Sequence, residues 1–252
     1  MPLNTYLNVL AYIINITITF LIGHGIPGTQ SNDVLSAKYQ TLITPVGWAF
    51  SIWAIIFTSQ FIFCVAQILP NFRDHPLVQR GVGYNYVGAC LAQAGWGLVF
   101  GFELIELSVV FMLLILFFLV RIVMDQSKVQ QENTHGLRDF WLLDFPFRIH
   151  CGWIVAASLV NVNLVLVKLK ESASAQFSLA LASLVVALVV ALLRLFGSTR
   201  TDYVIPCVLV WATVSSTLSA SSLTIALTHS NYYTAGYSCR ARGSKRFNTK
   251  DF

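Results

Sequence analysis

Seven long apolar stretches dominate this chain, at about residues 6–22, 45–69, 84–102, 107–124, 147–167, 177–195 and 203–227. A helix needs about 20 mostly apolar residues to cross the hydrocarbon core of a bilayer. Only helices and closed barrels satisfy the backbone there, and these runs are too continuous for barrel strands. Composition agrees: 56% of the 252 residues are hydrophobic and 11% charged, against about 25% charged in soluble domains. The predicted fold is an all-α integral membrane bundle of seven transmembrane helices. The opening MPLNTYLNVL lacks the Lys or Arg of a signal peptide, so the first stretch reads as a retained helix.

The net charge is +5, and much of the excess lies in the tail, at Arg240, Arg242, Lys245, Arg246 and Lys250. Near anionic headgroups each such residue contributes about 1 kcal/mol, which makes membrane lipids a partner. No folded basic face accompanies the tail, so nucleic acid is not expected as a partner. The positive-inside rule gives opposed signals. Arg73, Arg80, Lys128 and Arg200 fall on the N-terminal side, whereas the basic tail falls on the other. No orientation is assigned. Cys64, Cys90, Cys151 and Cys207 lie in apolar segments and Cys239 in the tail. With an odd count and no CxxC, a disulfide framework is not expected.

Helical spacing collects the polar and aromatic residues into stripes. The first helix aligns Asn8, Tyr12, Asn15 and Thr19. The second aligns Trp53, Phe57, Gln60 and Cys64, and the third Tyr86, Cys90, Gln93, Trp96 and Phe100. The fifth aligns His150, Trp153, Ala157 and Asn161. Two readings stand open. Apolar walls with a few convergent hydrogen-bonding groups are what a small-molecule pocket requires. Equally, Asn and Gln hold helices together in membranes. Tryptophan and tyrosine also line interfaces, a role that suits Trp48, Trp141 and Tyr203. The candidate ligand-binding residues are Trp53, Phe57, Gln93, Trp96, Phe100, His150, Trp153 and Asn161. His150 is either a haem axial ligand or simply hydrogen-bonded.

Ala212, Ser216, Ala220 and Thr224 form a small-residue row on the seventh helix, suited to close packing. Glu103 and Glu106 stand at a turn, as a carboxylate pair or as solvated charges. No HExxH, nucleophile elbow or phosphate loop occurs, so no catalytic or metal-binding residue is assigned. A retinal protein would need a Lys in the last helix, and residues 203–227 have none.

Three segments, in order, resemble the TspO/MBR family, the tryptophan-rich sensory or translocator proteins. They are TPVGWAFSIWAIIF at 44–57, AQAGWGLVF at 92–100 and GWIVAASLVN at 152–161. The resemblance covers about residues 1–170. It implies a five-helix transmembrane bundle whose pocket opens near the first long loop, residues 23–43. It also implies a planar tetrapyrrole such as porphyrin or haem as ligand, held by Trp53, Trp96, Trp153 and Asn161. There are departures. Trp48 and Trp53 stand five apart where the family usually has six, and Gln93 replaces the usual Asn. The family's Ala-Thr ahead of the fifth-helix Asn is Ala157-Ser158 here. VLVKLK lacks the Tyr of the family's sterol motif, so a sterol is not the expected ligand.

The expected organisation is a TspO-like domain at 1–170, a two-helix extension at 171–229 and a basic tail at 230–252. The expected function is that of a sensor, carrier or scavenger of a tetrapyrrole-like molecule. A light-driven porphyrin reaction rests on the resemblance only. The alternative is a structural subunit of a larger organellar membrane complex, with a homodimer as the other candidate assembly. A mitochondrial or plastid membrane would suit either reading, and the compartment is unresolved.

Overall fold

The computed structural model describes residues 2–132, 136–197 and 201–219. Described in chain order are α1 (Leu3–Gly23), α2 (Asn32–Lys38), α3 (Ile52–Ala66), α4 (Asn85–Gly101) and α5 (Ile105–Glu132). There follow the single turn α6 (Leu137–Asp139), α7 (Phe145–Lys168) and α8 (Ala173–Phe196), then α9 (Val204–Ser219). A 3₁₀ turn at Gly47–Ser51 leads into α3, and π-helical turns at Leu77–Val82 and Phe140–Asp144 lead toward α4 and α7. Among the described residues, five helical stretches are long and apolar enough to cross a membrane. They are Leu3–Gly23, Gly47–Ala66, Ile105–Glu132, Leu137–Lys168 and Ala173–Phe196. With the shorter α4 and α9 they account for the seven apolar stretches. Two of the small-row residues, Ala220 and Thr224, lie outside the described residues, as does the basic tail with Cys239.

The packing closes a ring. α1 packs on α3, α3 on α7, α7 on α5, α5 on α4, and α4 back on α1. The closest pairing is α4 against α5, and its cause is legible in the residues. A Cβ at Gly88 would meet the Phe118 ring at 2.6 Å, and one at Gly95 would meet the Phe111 ring at 2.4 Å. Both glycines and both phenylalanines are seven residues apart, two helical turns, so two large rings enter two backbone gaps in one antiparallel register. Small residues that admit a neighbouring helix are the usual basis of close association in lipid.

α1 and α4 run parallel in a fixed register. Asn4 bonds Gln79, Asn8 bonds the Gly83 carbonyl, and Ile22 covers Gly97, each pair 75 positions apart. α8 packs on the outside of α7, and most of its surface is apolar and faces outward.

Two segments expected as connections are partly helical. α5 continues to Glu132, well past the expected end at 124. The continuation is polar, but its inner face is buried. Gln126 donates to the Leu143 carbonyl at 2.7 Å, and Gln130 accepts from Arg148 at 3.3 Å. Likewise the 23–43 segment contains α2, whose Leu35 is fully buried against Phe100, Ile105 and Leu164.

Filling the two α4 gaps should loosen the ring. Gly88→Leu combined with Gly95→Leu should cost about 1–3 kcal/mol per site. Thermal unfolding in detergent should show a clear drop in Tm, and an unchanged Tm would contradict the register.

Candidate functional site

The aromatic stripes meet where α3 and α7 are neighbours. Trp53 lies edge-on to Trp153, with ring centroids 6.2 Å apart, and edge-on to His150 at 5.7 Å. It stacks on Phe57 at 5.5 Å. Phe50, in the 3₁₀ turn, meets Trp153 edge-on at 5.7 Å. Such arrangements are the favoured geometry for aromatic pairs. Trp53 and Phe57 are half-buried, whereas His150 and Trp153 are buried.

A hydrogen-bond chain backs this group. The Tyr86 hydroxyl donates to Gln60 Oε1 at 3.3 Å, and the Gln60 amide nitrogen lies 2.7 Å from His150 Nδ1. With Oε1 occupied by the hydroxyl, the amide nitrogen donates and Nδ1 accepts. This amide orientation assigns the imidazole proton to Nε2, and in that tautomer Nε2 donates rather than ligates iron. No cluster of three His, Cys, Asp or Glu suited to a metal occurs among the described residues.

Several buried polar atoms in the ring have no hydrogen-bond partner within the protein. Among them are His150 Nε2, Trp153 Nε1, Gln93 Oε1 and both amide atoms of Asn15; others, including Asn8 Oδ1, Gln67 Nε2 and Gln126 Oε1, lie elsewhere in the bundle. The α1–α4 register sets Asn15 beside Cys90, with Gln93 one turn further. Tyr12 donates to the Phe57 carbonyl at 3.0 Å. Asn15 therefore lies one turn from Phe57, in the direction in which α3 leads back to Trp53. Each buried polar group left unmatched costs about 1–3 kcal/mol, so these atoms hold hydrogen-bonding capacity that the protein itself does not use.

Trp96 belongs to a second group nearer the 23–43 segment. Its indole donates to Asn161 Oδ1 at 3.0 Å, and its ring stacks on Phe100 at 4.9 Å. Asn161 also donates to Ser108 Oγ at 2.9 Å. Trp96 makes no ring contact with Trp53 or Trp153. Of the eight residues singled out from sequence, Trp53, Phe57, His150 and Trp153 adjoin one another. Trp96, Phe100 and Asn161 adjoin one another in the second group, and Gln93 stands one turn from Trp96 on α4. Sequence reasoning passed over Phe50, which is off the helical stripe. It placed Asn15 and Gln60 on polar stripes without counting them as site residues.

Above the second group, α2 is tied down by charge. Lys38 Nζ lies 2.6 Å from Glu103 Oε1, and the Gln30 amide bonds the Gly101 carbonyl. The hydrogen bond from Lys38 holds the Glu103 carboxyl below the usual carboxylate range. Glu106 pairs with Lys168 at 2.7 Å. The two carboxylates therefore each have a lysine and do not form an acid pair.

At the opposite end a buried ionic cluster was not foreseen. Arg148 donates to Asp144 at 2.6 Å and to Asp202 at 2.7 Å, and Arg194 reaches Asp202 at 2.9 Å. Asp202 Oδ1 also accepts from the Val204 and Ile205 amides, capping α9. The cluster ties α7, α8 and α9 together. Burial pushes the Asp202 carboxyl up, but Arg148 and Arg194 more than offset this and hold it below its ordinary value of 3.8.

A ring of five apolar helices, polar and aromatic inside and extended by two more, defines a polytopic α-helical membrane protein. The chain matches the family described as TSPO-like protein over residues 5–234, and it belongs to that family. The match runs through α8 and α9, so the two added helices are part of what this family shares. No curated protein and no solved structure matches the chain.

Because the Asp202 carboxyl is more acidic when folded than when unfolded, its stabilisation is complete above about pH 4. It is lost as pH falls through the folded value. Tm should therefore hold from neutrality to about pH 5 and drop below 4. Asp202→Asn should lower the neutral Tm, at a cost of about 3 kcal/mol, and shrink that acid limb. An unchanged acid limb would contradict the assignment.

Proposed function

We propose that the helical ring binds a planar, hydrophobic, tetrapyrrole-like molecule and acts as its sensor, carrier or scavenger. The observation that carries this reading is the nearness of aromatic faces to unpartnered polar atoms along about two turns of the ring interior. Trp53, Phe57 and Trp153 offer ring faces and edges to a flat guest. Trp153 Nε1–H and His150 Nε2–H supply donors, Gln93 Oε1 an acceptor, and Asn15 both. A mostly apolar lining with a few fixed polar groups is the usual design of a small-molecule site. The described residues along this stretch are uncharged, which favours a guest whose buried part is neutral. Family membership supports the reading, because tetrapyrrole binding is what the TspO resemblance implies.

Protoporphyrin should quench tryptophan fluorescence, and changing both Trp53 and Trp153 to Phe should reduce affinity at least tenfold. Undiminished affinity in the double variant would remove these rings from the site. With the His150 proton on Nε2, haem and metal-free protoporphyrin should bind within about tenfold of each other, and His150→Ala should weaken both alike. Loss confined to haem would instead assign His150 as an axial ligand.

A further inference from the structure

α3 and α7 meet at a seam that holds the aromatic group, and α9 bridges α7 and the segment leading into α3. Gly152 of α7, next to Trp153, is covered by α9. A Cβ there would stand 3.0 Å from Val208 and 3.2 Å from the Ile205 backbone. Further along, α9 bonds backbone groups of the segment leading into α3. Trp211 Nε1–H donates to the Ala49 carbonyl at 3.2 Å, and its ring meets Trp48 edge-on at 4.7 Å. The Ser216 hydroxyl donates to the Ile43 carbonyl at 2.8 Å, and the Val46 amide donates to the Ser215 carbonyl at 3.3 Å. This segment ends in Phe50, whose ring abuts Trp153.

These contacts share one consequence. The lead-in segment has irregular backbone, and in a membrane such backbone must be satisfied by protein. Here two carbonyls and one amide are satisfied by α9. Releasing α9 would leave the Ile43 carbonyl and the Val46 amide unpaired, leave the Ala49 carbonyl with only its bond from the Ile52 amide, and free the turn that holds Phe50 against Trp153. The other end of α9 is fixed by Asp202 to Arg148 and Arg194, so the helix is anchored at one end and grips the turn at the other.

We infer that α9 is a strap over the α3–α7 seam, with Trp211 and Ser216 as positioning residues that control passage of the guest between the membrane plane and the aromatic group. This rests on the proposed binding reading for its ligand, but the grip of the strap on the turn is testable without any ligand. A guest passing through the seam must displace Phe50, and the strap sets how often that happens. It should therefore change entrance and exit together and leave the equilibrium nearly unchanged.

The test uses the full chain in phosphatidylcholine nanodiscs, comparing wild type with Trp211→Phe combined with Ser216→Ala. Trp141→Phe, in the turn before α7, serves as control. Hydrogen exchange reports the strap directly. The Val46 and Ala49 amides should exchange at least tenfold faster in the double variant, while α5 amides stay as in wild type and show that the ring is intact. Stopped-flow Soret absorbance then reports passage. Protoporphyrin should associate and dissociate several-fold faster, with Kd within about twofold. Unchanged exchange at residues 43–52 overturns the strap. Faster exchange with unchanged rates, or a changed Kd with unchanged association, overturns its control of passage. A wild type that takes up no protoporphyrin overturns the binding reading and the gate with it, whatever the exchange shows.

Discussion

Inside hydrocarbon a polar group can bond only to protein or to a guest, and this constraint orders the whole molecule. The helices satisfy their own backbones. The remaining polar groups sort into three classes. Some pair across helices, as Asn4 does with Gln79, Asn163 with Ser183, and Trp96 with Asn161. Charged groups gather at one end around Arg148 and Asp202, where several hydrogen bonds offset the cost of burial. A third class keeps unpartnered atoms, and four of its members, Asn15, Gln93, His150 and Trp153, lie along the aromatic part of the ring. The proposed function is a reading of that third class.

The same constraint explains the two added helices. α8 makes its membrane contacts through an apolar outer face and bonds inward through Ser183. α9 is different, because its serines and tryptophan satisfy another segment's backbone. The five-helix ring and its extension are thus joined by polar bonds at both ends of α9, with the glycine at 152 letting the helices approach between them. The family match runs without a break through the ring and both added helices.

The span count was legible in the sequence because apolar length is a direct signal of crossing. The inward faces were legible too. The 3.6-residue stripes picked out Tyr86, Gln93, His150, Trp153 and Asn161, and the structure buries each of them. Depth was not legible. A stripe says which side of a helix faces inward, not how far along one helix meets the next, so Trp96 lies in a second group with Asn161. The polar end of α5 was missed because amides, rather than apolar side chains, bury it. Arg148 and Asp202 are 54 positions apart, and nothing local in either segment announces the pair. Phe50 and Trp211 were passed over because their importance lies in what they touch across the fold.

If the unpartnered polar atoms of the ring contact a guest, an indole N–H among them must report its arrival. The six tryptophans each carry one indole N–H, and nitrogen-15 spectra of the protein in nanodiscs can follow them during protoporphyrin addition. A large shift is expected at Trp153, whose indole lacks a protein partner, and little change at the exposed Trp141, in the turn before α7. Shifts at Trp141 with Trp153 unmoved would place the guest outside the ring and contradict the account.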